Sequence, residues 1–575
     1  MKKLVLTLLL AVAAGAAAQA QTACPAAGTV VAVGSGNSAK TGFDITTNTT
    51  WTRNNIYLLD GIVYVNSGAT LTIEAGTIIK GSFANQGALV IRQGGKIQAA
   101  GTATQPIVFT SEKPAGQRQP GDWGGLIICG NAPTNRTGSP QIEGGTLANY
   151  GGTNPTDNSG VLQYVRIEFP GIAFLPGNEI NGLTLGGVGS GTTIDHIQVS
   201  ASGDDSFEWF GGTVNAKYLV ALGGTDDDFD TDFGYSGRVQ HGVALRDPSR
   251  GDIAVGGVSN GFESDNDNTN SAATPQTSAV FSNISIFLPS TPAPASPFAT
   301  AAGALIRQNS SQSIFNSLFV GRRSGLEIAG GSAGTTQANA TAGNLLFQNN
   351  VLAGYSPRAG RLGGTTSTTP AFDIKAFVGG NGNDTTRTAA ALGLNADNFA
   401  FEGSCGANKQ CVPAFDLPAA SLLNTGAAFT NAKVTGAGNG GPNGTFDVVT
   451  YRGAFGATNW ASGWTNFNPQ ITCYNVAGQT LATREVANAT LQALTVSPNP
   501  TAGAATLGFD VKTATTATVR VLDMMGRQVA VVLVAGKLGA GPQRLALPAN
   551  LAAGVYVATV ATPEALQSVR FVVAK

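Results

Sequence analysis

Apolar and polar residues alternate along much of this chain with a period of two, in runs too short for helices. In "ATLTIEAGTIIKG" (69–81), "GALVIRQGGKIQAAG" (87–101) and "PIVFTS" (106–111), apolar residues recur at every second position and glycines separate the runs. A period of two sends successive side chains to opposite faces of a strand. From about residue 56 the pattern therefore predicts a strand–turn–strand rhythm with no helical period.

A longer repeat lies over this rhythm. "DDSFEWFGG" (204–212) superposes on "DDDFDTDFG" (226–234) at an offset of 22 residues, which puts Phe207 on Phe229 and Glu208 on Asp230. "NGFESDN" (260–266) then supplies Phe262 and Glu263, and "SGLEIAG" (324–330) supplies Leu326 and Glu327. "GALIRQN" (303–309) keeps the apolar residue but not the acid. A second ladder joins Asn283, Asn316 and Asn349, each 33 residues from the last. Fixed core positions with variable spacing mean that loops vary while strands hold register. A parallel β-helix has this property: its coils stack at about 4.8 Å, the spacing of hydrogen-bonded strands. On this register the chain resembles the right-handed, pectin-lyase-like β-helix superfamily over roughly residues 56–355. "GDWGGLIICGNAP" (121–133) and "FEWFGGTVNAKYLV" (207–220) further resemble a group of bacterial secreted β-helix proteins, which implies fold and export only.

The two ends read differently. Residues 1–20, "MKKLVLTLLLAVAAGAAAQA", place two lysines before an apolar run and end on Ala18-Gln19-Ala20, the pattern of a secretory signal peptide. Residues 21–55 read as a leader and N-terminal cap, and 356–473, with Trp460 and Trp464, as loop-rich final coils and a cap over the open end. A polar linker (474–491) leads to 492–575, where alternating apolar residues and regular turns predict a small antiparallel β-sandwich. Its Pro498-Asn499-Pro500, Asp523-x-x-Gly526-Arg527 and Leu551-x-x-Gly554-x-Tyr556 resemble the type A sorting domain of the type IX secretion system in Bacteroidetes-type bacteria. One departure is Arg570, where such tails often carry Lys. The resemblance implies export to the periplasm, then handling by the outer-membrane translocon and a sortase, with the body secreted or attached at the cell surface. The expected fold class is all-β: a right-handed parallel β-helix followed by a sorting sandwich.

Composition agrees. The 575 residues include 77 Gly and only 12% charged residues, which favours turns and short strands over long helices. The net charge of −1 offers no basic surface to nucleic acid, and after the leader no stretch stays apolar long enough to span a membrane. Export permits disulfides. Cys405 with Cys411 and Cys24 with Cys473 are the candidate pairs, and Cys129, in the apolar run "LIICG", reads as a buried free thiol.

The candidate chemistry is acidic. "GGTDDDFDTDFG" (223–234) packs five aspartates into seven positions. The repeat puts Glu208, Asp230 and Glu263 on one face of consecutive coils, with Asp232 and Asp265 near one another. Carboxylates at coil spacing repel by about 1 kcal/mol per pair in water, and several times more at an effective dielectric of about 20. Oxygen ligands without His or Cys select a hard cation. The expectation is Ca²⁺ held by residues among Asp204, Asp205, Glu208, Asp226, Asp227, Asp228, Asp230, Asp232, Glu263 and Asp265. The competing reading is that these aspartates accept backbone N–H bonds in tight turns.

His196 and His241 occupy matching positions two coils apart, about 10 Å, too far to share one metal. Trp209, Phe210, Tyr218, Phe233 and Tyr235 flank the acids as candidate platforms for sugar rings. The expected role is a surface or secreted protein, an adhesin or structural element, that interacts with polysaccharide or another surface partner. The alternative is a calcium-dependent polysaccharide lyase using Lys217, Arg238 or Arg246 as base, or a glycoside hydrolase using a carboxylate pair.

Overall fold

The computed structural model describes residues 24–574, apart from 27, 38–41, 146–147, 176–177, 253–256, 290–300, 322, 330–334, 356–358, 364–371, 395–412, 437, 482–490, 512–513, 524–527 and 563–565. Each central coil lays down one long bent strand and one short strand, both paired in parallel with their equivalents in the next coil. Gly160–Glu168, Thr193–Ser200, Asn215–Leu222, Arg238–Leu245 and Val280–Phe287 form the long series, and Leu183–Gly186, Phe207–Phe210, Phe229–Asp232 and Phe262–Ser264 the short one. The register is the one the repeat predicts. Phe207 pairs with Phe229 and Phe229 with Phe262, while Glu208 pairs with Asp230 and Asp230 with Glu263. Higher up, Leu305 lies between Glu263 and Glu327, so the coil lacking the acid keeps the register.

The inward phenylalanines stack with ring centroids 5.6 and 5.3 Å apart, all fully buried. Burying each contributes about 1.5–3 kcal/mol, and the ring contacts about 0.5–1.5 kcal/mol more. The long strands bend at one left-handed residue per coil: Tyr164, His196, Tyr218, His241, Asn283, Asn316 and Asn349, with φ between 50° and 61°. Asparagine tolerates this conformation through its short polar side chain, which explains the asparagine ladder. The Tyr and His members stack instead, at 4.3, 4.3 and 5.0 Å between centroids, with Tyr218 separating the two histidines.

The solenoid reaches beyond its periodic core. Val30–Asn37, Phe43–Ile45 and Thr49–Trp51 already pair with the next coil, so much of the expected leader is itself the first coil. At the far end Gly360–Gly363 adds to Ser324–Ala329, and the short helix Ile374–Gly379 packs Ile374 and Val378 into the core as a cap.

The described part of 413–475 does not cover that end. It zigzags as a strap along the outside of the long strands. The reason is that the second limb of these strands is apolar on both faces. Leu219 and Ala221 point into the core, while Val220, Leu222, Val243 and Leu245 point outward and are buried by Phe415, Phe455, Trp464 and Phe467. Asn316 bonds the strap at Ala428, and Gln198 bonds it at Asn466. The strap finishes at the first coils, where Arg118 donates to the carbonyls of Pro469 and Thr472 and Cys473 is disulfide-bonded to Cys24. Cys129 is buried and free. Cys405 and Cys411 lie outside the described residues, as does the signal segment. Tyr474 and Leu481 pack on Ile56, Ile78 and Val108, so the start of the expected linker belongs to the body.

The C-terminal unit is a sandwich of two antiparallel sheets. One holds Leu491–Ser497, Thr506–Val511 and Gly541–Ala546; the other holds Gln528–Leu538, Thr515–Asp523, Gly554–Ala561 and Leu566–Val573. Asn499, between Pro498 and Pro500, accepts from the Val572 N–H at 2.9 Å and donates to the Arg570 carbonyl, tying the motif to the last strand. Tyr556 donates to the Ala552 carbonyl and faces Asp523 across the sheet, two residues after Gly554 opens its strand. Gly526 and Arg527 lie outside the described residues. Among the described residues no helix is long and apolar enough to cross a membrane.

Candidate metal centre

The acidic column sits on the outer face of the short strands, because period two turns Glu208, Asp230 and Glu263 outward where Phe207, Phe229 and Phe262 turn inward. The turn before each strand adds Asp204 and Asp205, then Asp226, Asp227 and Asp228. Some of these do the backbone work expected of turn aspartates. The Asp227 N–H donates to Asp205 Oδ1 at 2.7 Å, the Asn260 N–H to Asp227 Oδ1, and the Ala302 N–H to Asn260 Oδ1 at 2.9 Å. This ladder locks the turns coil to coil and fixes how the carboxylates point.

Two overlapping triads result. One carboxylate oxygen from each of Asp204, Asp205 and Asp226 lies within 4.8 Å of the others, and the same holds for Asp205, Glu208 and Asp230. Oxygens on one Ca²⁺ at about 2.3–2.6 Å can be about 5 Å apart, so each triad has the span of one ion. Two insertions between coils bring further groups that the repeat could not reveal. Asn181 donates its amide to Glu143 at 2.9 Å and also to Glu208. Glu179 and Asp252 add negative charge near Asp204.

Burial raises the carboxyl pKa values here. It lifts Asp204, Asp205, Glu208, Asp230, Asp232 and Glu263 well above the ordinary range, and the surrounding carboxylates add to the effect. Asp226 is pushed up to about 9 by burial and then by Asp227 and Asp204. Asp228 is raised only to about 7, because burial is opposed by Arg246, whose Nε lies 2.9 Å away with both side chains fully buried. Arg307 ion-pairs with Glu263 and Asp265 at the upper end. Its coil, "GALIRQN", is the one where the acid is missing, so the sequence carried a sign of this counter-ion. Asp228, Glu263 and Asp265 thus have cationic partners. Among the described ion pairs none includes Asp204, Asp205, Glu208, Asp226, Asp230 or Asp232.

The other expected site residues fall elsewhere. Lys217 and Arg238 are on the long strands, not beside the acids. Lys217 pairs with Asp447 of the strap at 2.8 Å, and Arg238 donates to the strap carbonyls of Thr435, Gly436 and Gly444. Arg246 is beside the acids but buried on Asp228 and on the carbonyls of Gly224, Asp226 and Asn260. None of the three stands as an open base. The aromatic residues are also engaged. Trp209 and Tyr235 are fully buried and stacked on each other, and Phe210 is buried, so these three offer no sugar platform. Phe233 packs on Phe210 beneath the Arg136 guanidinium, and Tyr218 lies in the histidine stack under Trp460. A period of two cannot distinguish an aromatic residue in a wide core from one on the surface.

A family model described as a pectate-lyase-like β-helix domain matches residues 43–393. The chain belongs to the pectate-lyase-like β-helix family. A second model, the secretion system C-terminal sorting domain, matches residues 495–574. This is therefore a secreted β-helix protein carrying a type IX sorting tail, destined for the cell surface or the medium. No curated protein matches the chain.

Proposed function

We propose that this protein is a surface or secreted β-helix whose acidic shelf takes up calcium, and that the loaded solenoid serves as an adhesin or structural element contacting polysaccharide or another surface partner. A signal peptide at residues 1–20 starts the route, and the translocon and sortase of the type IX system complete it. The observation that carries the reading is the triad Asp205, Glu208 and Asp230, whose ligand oxygens lie within 4.8 Å of one another and which none of the ion pairs among the described residues includes. Held together and dehydrated, such groups take either protons or a cation. Fully buried oxygens of Asn181 and Thr184, in contact or in register with Glu208, lack a hydrogen-bond partner. Hydroxyl and amide oxygens suit a hard, irregularly coordinated ion.

The test uses the full chain stripped with EGTA and titrated calorimetrically with CaCl₂ at pH 7.5, followed by a glycan array with and without calcium. Saturable calcium binding is expected, with glycan signals that disappear with EGTA. No heat and no shift in melting temperature on adding calcium would refute the metal site. Calcium binding with no glycan or surface partner would confine the ion to stability.

A further inference from the structure

We infer that the shelf holds two cations bridged by Asp205, an inner ion that is structural and an outer ion that exchanges. This rests on the calcium reading above and adds a count and a division of roles. The two triads share Asp205 alone: Asp204 and Asp226 lie on one side, Glu208 and Asp230 on the other. A carboxylate has lone pairs enough to serve two ions, and the Asp227 N–H, donating to Oδ1, orients the shared group.

Charge favours the second ion. Five carboxylates form the two triads. One divalent cation offsets two of these charges and leaves a buried excess, while two cations offset four. The inner side also has a separate sign of an absent ligand. On the inner side Asn181 Oδ1 and Thr184 Oγ1 are fully buried without a partner, and the Asn181 amide already touches Glu208.

Exposure distinguishes the two roles. In the outer triad Asp204 and Asp226 are both partly exposed, whereas in the inner triad only Asp230 is, and Glu208 is buried beneath the insertion that carries Glu143. The outer ion is therefore more open to water and faster to leave, and the inner ion is the more enclosed.

The experiment is equilibrium dialysis of the full chain against CaCl₂ with elemental analysis, repeated with TbCl₃ luminescence for exchange rates. Wild type is expected to hold two ions. Asp226→Asn should hold one slowly exchanging ion and keep the calcium-induced gain in melting temperature. Glu208→Gln should hold one fast-exchanging ion and lose most of that gain. Asp205→Asn should hold none at concentrations that saturate wild type. One ion in wild type overturns the inference and leaves the calcium reading standing; none overturns both. The wild-type count does not depend on any variant folding. If Asp226→Asn and Glu208→Gln each abolish all binding, the triads are one site and the inference fails.

Discussion

Asn316 is one of the points where the column of left-handed residues meets the strap, and its replacement has a calculable effect. The residue is fully buried with φ of 52°. Its side chain accepts from the Ala428 N–H at 2.9 Å and donates to the Ala428 carbonyl at 3.2 Å and to Ser282 Oγ at 3.1 Å. Its own carbonyl accepts from the Gly453 N–H, so one residue fastens the strap at two points. Asn316→Ala removes the side-chain bonds and strands both polar groups of Ala428. A buried polar group left unpaired costs about 1–3 kcal/mol, and Ala428 is half-buried, so each of its two groups takes the lower part of that range, about 1–2 kcal/mol. Alanine in a left-handed conformation adds about 1 kcal/mol. The total is about 3–5 kcal/mol. Asn316→Gly loses the same bonds without the backbone strain and should be milder by about 1 kcal/mol. Denaturant melts of the two variants, with limited proteolysis of the 413–475 strap, measure both parts. An alanine variant within about 0.5 kcal/mol of wild type, the scatter of an ordinary surface change, would refute the reasoning. So would a glycine variant less stable than the alanine one.

Other outcomes follow from the same contacts. In EGTA the protein should lose stability as pH rises from 5 to 8. Asp226 has a folded pKa of about 9 against an ordinary value of 3.8, so the native state keeps a proton that the unfolded state releases. The slope for one such group is about 1.4 kcal/mol per pH unit; melting temperatures across that range check it, and saturating calcium should flatten the trend. Replacing Cys24 and Cys473 with serine should cost about 2–5 kcal/mol and open the strap to protease near residue 473 before the coils unfold. Arg307→Gln should lower the calcium-free melting temperature at pH 8 more than at pH 5, because Glu263 and Asp265 lose their counter-ion only where they are ionised.

The sequence revealed the columns because a stacked solenoid repeats its environment. An inward Phe at 207 demands an inward Phe at 229 and 262, and the outward acids follow at the next position. The asparagine ladder was visible for a similar reason, since one backbone conformation recurs each coil. What does not repeat was hidden. Glu143, Glu179 and Asn181 reach the shelf from insertions of irregular length. The strap looked like a cap because its role depends on the outward Val220, Leu222, Val243 and Leu245, whose need for cover appears only once the inner face is known to be filled by others. Lys217 and Arg238 lie near the acids along the chain, but the coil turns between them, and closeness in sequence becomes a different face in space.

Calcium is proposed to bind among the outward carboxylates of successive coils. Crystals of the full chain grown with calcium, with anomalous data collected at long wavelength, test it most directly. Anomalous density is expected about 2.3–2.6 Å from oxygens of Asp205, Glu208 and Asp230. Carboxyl groups at hydrogen-bond distance from one another, with no anomalous density between them, would contradict it.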